Sequence, residues 1–475
     1  MSAADKPQRI GAEAAPSVSA RIDRLPATKY IWSLVMLVSF GAFFEIYDLA
    51  LSAPLGLGLL EAGIFHKGSA GLFGLSDQAT FVASTFAGLF VGTMGFSFAA
   101  DRFGRRPIFT FALLWYSLAT VVMGFQNTAA GIDLWRFIAS IGVGLELVAI
   151  DCYLAELMPK HLRGRAFAVS TSIQFLSAPL VAVLAWKLIP GEVLGVDGWR
   201  WLTFVPAIGA ALVWWIRRAL PESPRWLEAH GRPDEAAAVM DRIEARVVAD
   251  LKAPLPALVA PVVIETHSKP TTGGVAPSLW RPPYRRRTLM LIIFHIFQAI
   301  GYFGFSHWLP TLLVSQGITV SKSLGYSAVL AILMPIAPLV FSRIADKAER
   351  KWLIVAGSLT TAVCGLLMTL MTKDSNFLIF TVIGAGVSLG NSLMSLSYHT
   401  YQSEVFPTQI RARGVGVVYS FSRLSAMVSG YLIAFVLDEF GAAGVFVLIS
   451  GAMAMVALTV ALFGPRTRGL ALEDI

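Results

Sequence analysis

The sequence predicts an all-α membrane protein of twelve transmembrane helices, arranged as two pseudo-symmetric six-helix bundles. Three observations predict it: a composition suited to lipid, apolar runs of membrane-spanning length, and two pairs of segments that repeat in register. Of 475 residues, 56% are hydrophobic and 14% are charged, whereas a soluble domain is nearer a quarter charged. A hydrocarbon core about 30 Å thick takes roughly 20 apolar residues per helical crossing. Runs of this kind fall at 30–54, 79–100, 107–125, 132–156, 166–189 and 200–217, then at 288–314, 323–343, 352–372, 376–402, 412–437 and 443–463. They are continuous rather than alternating in period two, which argues against a β-barrel.

The net charge of +8 does not mark a nucleic-acid binder, because the basic residues sit in alternate loops. Arg102, Arg105 and Arg106 form one group, Lys160, Arg163 and Arg165 another, and residues 217–287 a third. Arg343, Lys347, Arg350 and Lys351, and then Arg411 and Arg413, complete the series. This is the positive-inside pattern, and it places both termini in the cytoplasm. The expected organisation is a flexible cytoplasmic tail at 1–29, a six-helix bundle at 30–218, a cytoplasmic linker at 219–287, a second bundle at 288–464 and a tail at 465–475. The tail lacks the apolar core of a signal peptide, and Asp234–Leu251 reads as a short amphipathic helix in the linker. Cys152 and Cys364 both fall inside spans, so they read as buried thiols rather than a disulfide framework.

The repeats are specific. After the second span the chain reads Ser97-Phe98-Ala99-Ala100-Asp101-Arg102-Phe103-Gly104-Arg105-Arg106, and after the eighth Ser342-Arg343-Ile344-Ala345-Asp346-Lys347-Ala348-Glu349-Arg350-Lys351. Tyr153, Glu156, Pro159 and Arg163 close the fourth span; Tyr401, Glu404, Pro407 and Arg411 close the tenth at the same spacing. Parallel repeats of this type place a substrate site between the halves, near mid-bilayer. The Ala-Asp-Arg-x-Gly-Arg-Arg loop resembles the signature between spans two and three of the major facilitator superfamily, with Ser97 where that motif has glycine. Arg136 with Gly142 and Gly144 resembles its fourth-span motif, and Pro221-Glu222-Ser223-Pro224-Arg225-Trp226-Leu227 resembles the sugar-porter signature after span six. Residues 302–310, Tyr-Phe-Gly-Phe-Ser-His-Trp-Leu-Pro, resemble the seventh span of the niacin-transporter and synaptic-vesicle-glycoprotein-related branch. The resemblance implies a cytoplasmic gate in which Asp101, Arg105, Glu156, Arg163, Asp346, Arg350, Glu404 and Arg411 latch the two halves together while the carrier faces outward.

Charges within the membrane are candidates for function, because one at the bilayer centre costs at least ~2.5–3.5 kcal/mol. The first span offers Glu45 and Asp48 with Tyr47 between them; the fourth offers Arg136, Glu146 and Asp151. Residues 146 and 151 point in different directions on a helix, so one of them at most faces a cavity. Asp48, Glu45 and Asp151 are the expected proton carriers. Arg423, deep in the eleventh span, cannot shed its charge and needs an anion, either a protein acid (Asp48 or Asp151) or a substrate carboxylate. Tyr47, Gln298, Tyr302, Asn391 and Tyr398 are the other expected substrate contacts, with ring stacking on Tyr302 or Trp308.

No Gly-Lys-Ser/Thr phosphate loop, metal spacing or catalytic signature is present, so neither an enzyme nor an ATP-driven pump is expected. The reading is a secondary active transporter: a monomer in the inner (plasma) membrane that uses the proton gradient rather than a cofactor. It would symport a small organic acid, an aromatic or niacin-like monocarboxylate, by alternating access. The alternatives are a sugar or polyol proton symporter and, from another class, a non-transporting membrane sensor.

Overall fold

The computed structural model describes residues 17–66, 76–209, 211, 220–258, 278–282, 284–345, 348–371, 376–406 and 410–467. The first half begins with a short helix α1 (Val18–Asp23), then α2 (Lys29–Glu61), α3 (Asp77–Phe103), α4 (Arg105–Met123) and α5 (Ala129–Leu157). The fifth span is broken at Leu176 into α6 (Lys160–Phe175) and α7 (Ser177–Leu188). The sixth starts as α8 (Gly198–Phe204), and its far end lies outside the described residues. A two-residue antiparallel ladder, β1 (Glu192–Val193) with β2 (Val196–Asp197), closes the loop before it. The linker carries α9 (Pro224–Ala229) and α10 (Pro233–Leu251). The second half contains α11 (Tyr284–Ser315), α12 (Val320–Ala331), α13 (Leu333–Ala345), α14 (Arg350–Met368), α15 (Phe377–Glu404) and α16 (Arg411–Phe463).

Among the described residues nine helices are long and apolar enough to cross a membrane. One of them, α16, is two spans in sequence: Gly441 interrupts it at φ 66° and ψ −172°, a conformation essentially confined to glycine. The 27-residue α3 packs along α5. Polar loop residues start the helices. Thr28, Ser76, Thr128, Thr319 and Asn376 each accept a hydrogen bond from a first-turn backbone N–H, which satisfies donors that have no helical partner.

The molecule is apolar outward and polar inward. Leu118, Leu378, Val382 and Leu458 are exposed, whereas Asp48, Arg136, Glu146 and His295 are fully buried. This is the arrangement a lipid solvent selects. Contacts between the halves concentrate on the face opposite the basic loops. Gln78 Nε2 donates to Thr311 Oγ1 at 2.8 Å, the Phe86 and Phe303 rings lie 4.6 Å apart, and Trp186 stands against Gly325.

The repeats in the sequence become matching structure. Arg105 bonds Glu156 at 2.9 Å in the first half, and Arg350 bonds Glu404 at 2.6 Å in the second. The Tyr153 hydroxyl donates to the Pro221 carbonyl, and the Tyr401 hydroxyl donates to the Pro465 carbonyl. Gly142 and Gly390 hold the same register. A Cβ on Gly142 would press on Tyr116, and one on Gly390 would meet the Gly357 carbonyl at 2.7 Å.

One segment departs from the sequence reading. Residues 18–23, taken as part of a flexible tail, form a docked helix. Val18, Ile22 and Leu25 share an apolar face that is buried with Val239, Met240, Ile243 and Val247 of α10. Arg21 and Arg24 both bond the Glu244 carboxylate at 2.8 Å, and Arg21 also reaches Asp241 at 2.6 Å. Partial burial opposes ionisation of Glu244, but the hydrogen bonds from Arg21 and Arg24 outweigh it and hold the carboxyl below its ordinary value of 4.5. The docking contribution of Glu244 is therefore complete above that value and fades as pH falls through and below it. Hydrogen exchange at residues 18–25 should rise as pH falls below that value, after correction for intrinsic exchange, and Glu244→Gln should raise it at neutral pH. Unchanged protection in both conditions would show that the ion pairs do not dock α1.

Candidate functional site

The first half is organised by a buried ion pair. Asp48 of α2 and Arg136 of α5 are both fully buried, and Arg136 Nη1 donates to Asp48 Oδ2 at 2.8 Å. The other carboxylate oxygen, Oδ1, accepts from Thr120 Oγ1 of α4 at 2.8 Å. Arg136 Nη2 donates to the Asp48 carbonyl at 3.0 Å and to Ser52 Oγ at 2.8 Å, and Nε donates to Thr85 Oγ1 of α3 at 2.9 Å. The guanidinium also lies 5.6 Å from the centre of the Phe81 ring. Burying two charges is costly unless the remaining donors and lone pairs are satisfied; here α2, α3, α4 and α5 all contribute to satisfying them. The sequence reading left Arg423 as a possible partner of Asp48, but the acid is closed onto Arg136 instead.

The neighbours of Asp48 face elsewhere. The Tyr47 hydroxyl donates to the Leu202 carbonyl at 3.0 Å and its ring is buried with Leu51, Phe81 and Trp199, so Tyr47 is turned away from the space between the halves. Glu45 is 2% exposed and Glu146 of α5 is 0% exposed. The Glu146 carboxylate is within electrostatic reach of Glu45 and lies beside the Tyr116 hydroxyl of α4 without a hydrogen bond of normal geometry. Asp151 lies on α5, and its side chain is outside the described residues.

Between the halves is a cavity of about 220 Å³, walled by α2, α6, α7, α11, α12, α13 and α15. Its wall is mainly apolar, with Phe303, Phe305, Leu309 and Leu330 among the liners. Polar groups enter at Tyr302, Ser306, His307, Ser327, Ser388 and Asn391. Two of the expected substrate contacts, Tyr302 and Asn391, are therefore in the wall, whereas Trp308 is packed into the apolar core. Pro54 and Pro310 lie inside α2 and α11 and line the cavity, as do Ala50 and Ser306 one turn earlier. Proline has no N–H, so those two carbonyls have no helical partner.

Beside Tyr302 lies a polar, aromatic cluster of the second half. His295 Nε2 and Gln402 Oε1 are 3.0 Å apart. The Tyr398 ring stacks on His399 at 4.2 Å and approaches His295 at 5.6 Å. Arg423, 9% exposed, donates from Nη2 to the Tyr419 hydroxyl at 3.1 Å, and no carboxylate among the described residues pairs with it. The Gln298 carbonyl oxygen is buried without a hydrogen-bond donor. Tyr302 interacts electrostatically with Tyr419, and Tyr398 with Tyr419, Arg423 and Tyr302. Arg423, Gln298 and Tyr398 are not among the cavity liners; they cluster next to Tyr302, which is, and Gln298 and Tyr398 lie toward the basic face from it.

Arg105–Glu156 joins α4 to α5, and Arg350–Glu404 joins α14 to α15, so in this structure each pair fastens helices within its own half. Both pairs form because a helix beginning at the basic face meets one ending there. Arg163 is half-buried, with Nε and Nη2 free of hydrogen bonds. The side chains of Asp101, Asp346 and Arg411 lie outside the described residues. Sequence reasoning missed Gln78, Thr311 and His307, which close the opposite face. His307 lines the cavity and lies edge-on to Phe86 of the other half at 5.4 Å. Thr311, a lone polar residue between Pro310 and Leu312, carried a local signal; Gln78 sits among Ser76, Asp77 and Thr80 at the helix start and carried none.

Residues 34–475 match the family described as sugar (and other) transporter. The chain is 30% identical over 447 residues to the putative metabolite transport protein YyaJ of Bacillus subtilis (strain 168), covering 94% of this chain and 95% of that one. It is 26% identical over 459 residues to the niacin transporter NiaP of Acinetobacter baylyi (strain ATCC 33305 / BD413 / ADP1), covering 96% and 98%. The partially occluded inward-open conformation of the xylose transporter XylE from E. coli superposes with a TM-score of 0.72 at 18% identity, covering 94% of this chain and 100% of that one. The chain belongs to the sugar (and other) transporter family of the major facilitator superfamily and is a multi-pass membrane transporter.

Proposed function

We propose that this carrier is a proton-coupled symporter of a small monocarboxylate carrying one ring, oriented with its basic face in the cytoplasm of the plasma membrane. The observation that carries the reading is the contrast between the two interior arginines. Arg136 has its acid; Arg423 has a tyrosine hydroxyl and no acid. A buried guanidinium with no protein anion is an anchor for a substrate carboxylate. The mainly apolar cavity supplies the space for the ring, and about 220 Å³ is small beside the roughly 300–1,000 Å³ of drug-sized sites. The niacin transporter among the relatives supports the same chemistry. The positive-inside distribution of arginines supports the orientation.

Asp48 is the proton switch in this scheme. A proton added to Oδ2 takes the place of the Arg136 Nη1 hydrogen bond, while Thr120 keeps its bond to Oδ1. The pair opens, and α2 and α5 become free to shift against one another. The energetics favour coupling. Importing one negative charge against 100 mV costs about 2.3 kcal/mol, and a co-imported proton cancels it. A sugar or polyol is the second reading, favoured by the uncharged cavity wall.

Labelled nicotinate and benzoate should accumulate in reconstituted vesicles only with an inward proton gradient, and xylose in the same assay scores the second reading. Asp48→Asn should abolish accumulation and retain exchange; accumulation at the wild-type level would clear Asp48 of the role. Arg423→Gln should weaken apparent affinity for the acid by roughly 10- to 100-fold, the loss of one charge-assisted bond of about 1.5–3 kcal/mol. Equal affinities would remove Arg423 from the substrate site. Arg136→Gln leaves Asp48 buried without its cation and should cost about 3–5 kcal/mol. Denaturant unfolding reads that loss, and the double replacement with Asp48→Asn should recover most of it.

A further inference from the structure

We propose that Glu45, Glu146 and Tyr116 form a second proton site that receives the proton leaving Asp48 and passes it to the basic face. The proposal rests on the reading of Asp48 as the proton switch and extends it from a single residue to a route.

Three titratable groups are buried together here, with exposures of 2% for Glu45 and 0% for both Glu146 and Tyr116. Among the described residues, no cation is recorded acting electrostatically on Glu146. Glu45 faces it from α2 and Tyr116 from α4, while α3 meets this stretch of α5 through Leu89, Gly92 and Thr93. Arg136, on the same helix, has four of its five N–H donors committed to Asp48, Ser52 and Thr85. Neither Glu146 oxygen has a hydrogen bond of normal geometry. An ionised carboxylate in such a place has nothing to replace its lost hydration, and a second carboxylate nearby makes double ionisation worse. An acid placed as Glu146 is holds a proton, and the Glu45 carboxyl beside it raises the cost of releasing it.

The position suits a relay. Glu146 is ten residues from Arg136 on α5 and so about 15 Å nearer the basic face. Thr120 and Tyr116 are one turn apart on α4. Thr120 bonds Asp48, while Tyr116 lies beside Glu146 and is within electrostatic reach of Asp48. One proton crosses in each cycle. The O–H bond at Asp48 breaks, Arg136 recovers its carboxylate partner, and an O–H bond forms on a Glu45 or Glu146 carboxylate. That proton leaves to water when the first half opens on the basic face. Nothing in the second half imitates the arrangement: the positions in register with Arg136 and Glu146 are Gly384 and Met394.

Infrared difference spectroscopy of the purified carrier in lipid, at neutral pH, tests the resting proton without any substrate. A protonated-carboxyl C=O band is expected in the wild type, lost or shifted in Glu146→Gln or Glu45→Gln, and kept in Asp48→Asn. Glutamine is the neutral isostere of the protonated acid, so folding should survive; an unfolding midpoint measured on the same samples checks it. In vesicles, with nicotinate and benzoate as probes, Glu146→Gln and Tyr116→Phe should lower proton-driven uptake, roughly 100-fold for the former, and leave exchange intact. A spectrum unchanged by both glutamate replacements overturns the site. Wild-type uptake by Glu146→Gln overturns the relay alone if Asp48→Asn is inactive. If Asp48→Asn also accumulates normally, the underlying reading of Asp48 has failed instead.

Discussion

The Asp48–Arg136 pair is the interaction on which the first half depends. It is completely buried, and four helices meet at it: α2 supplies the acid and Ser52, α3 Thr85, α4 Thr120, and α5 the guanidinium. In lipid the hydrophobic effect does little to hold helices to one another, so packing and interhelical hydrogen bonds take a larger share. A pair bonded in this way fixes the register of α2 against α5 and aims each polar group. It is also conditional, because one proton on Asp48 removes the attraction while the surrounding hydroxyls stay in place. A contact that secures four helices and can be switched off by a single proton suits a protein that must rearrange in every cycle.

The two halves share a frame and differ in chemistry. The frame consists of the Arg105–Glu156 and Arg350–Glu404 bridges, the two tyrosine-to-proline-carbonyl bonds, and the paired glycines at 142 and 390. These features lie near the basic face or along the tightest helix contacts, where each half must keep its own shape as it moves. Bridges inside a half make that half rigid and leave the contact between halves to weaker bonds such as Gln78–Thr311 and Phe86–Phe303. Rocking one rigid half against another needs this order of strengths. The ionisable groups of the deep interior follow no such symmetry: the acids lie in the first half and Arg423 in the second.

Most of the frame was legible in the sequence, because span length, alternating basic loops and in-register repeats are local signals. The amphipathic linker helix was legible for the same reason, and the structure places it at Pro233–Leu251. What escaped is what depends on distance along the chain or on helix rotation. Asp48 and Arg136 are 88 residues apart, and nothing local joins them. Tyr47 and Asp48 are adjacent, so the backbone must send them to different surroundings, and only packing decides which one meets α5. Tyr302 and Asn391 reached the cavity wall whereas Gln298 and Tyr398, on the same faces of α11 and α15 but one and two turns nearer the basic face, did not. The docking of α1 was hidden by its brevity. Six residues have no helical signal of their own, and it is the partner surface on α10 that makes them a helix.

Charge accounting joins these parts. On the proposed assignments, Asp48 and Arg136 offset each other, and a Glu45–Glu146 pair holding one proton keeps one negative charge against the positive charge of Arg423. These interior groups of the empty carrier then sum to neutral. Adding a carboxylate and a proton together leaves that sum unchanged, so the empty and the fully loaded carriers face the same electrostatic cost when the halves close over a dry interior. A proton alone, or an anion alone, leaves one uncompensated charge in a low-dielectric space, which is expensive. Strict coupling then needs no dedicated lock. It follows from placing the anion site and the proton site in opposite halves of one closing interior, where loading either site alone leaves a charge uncompensated.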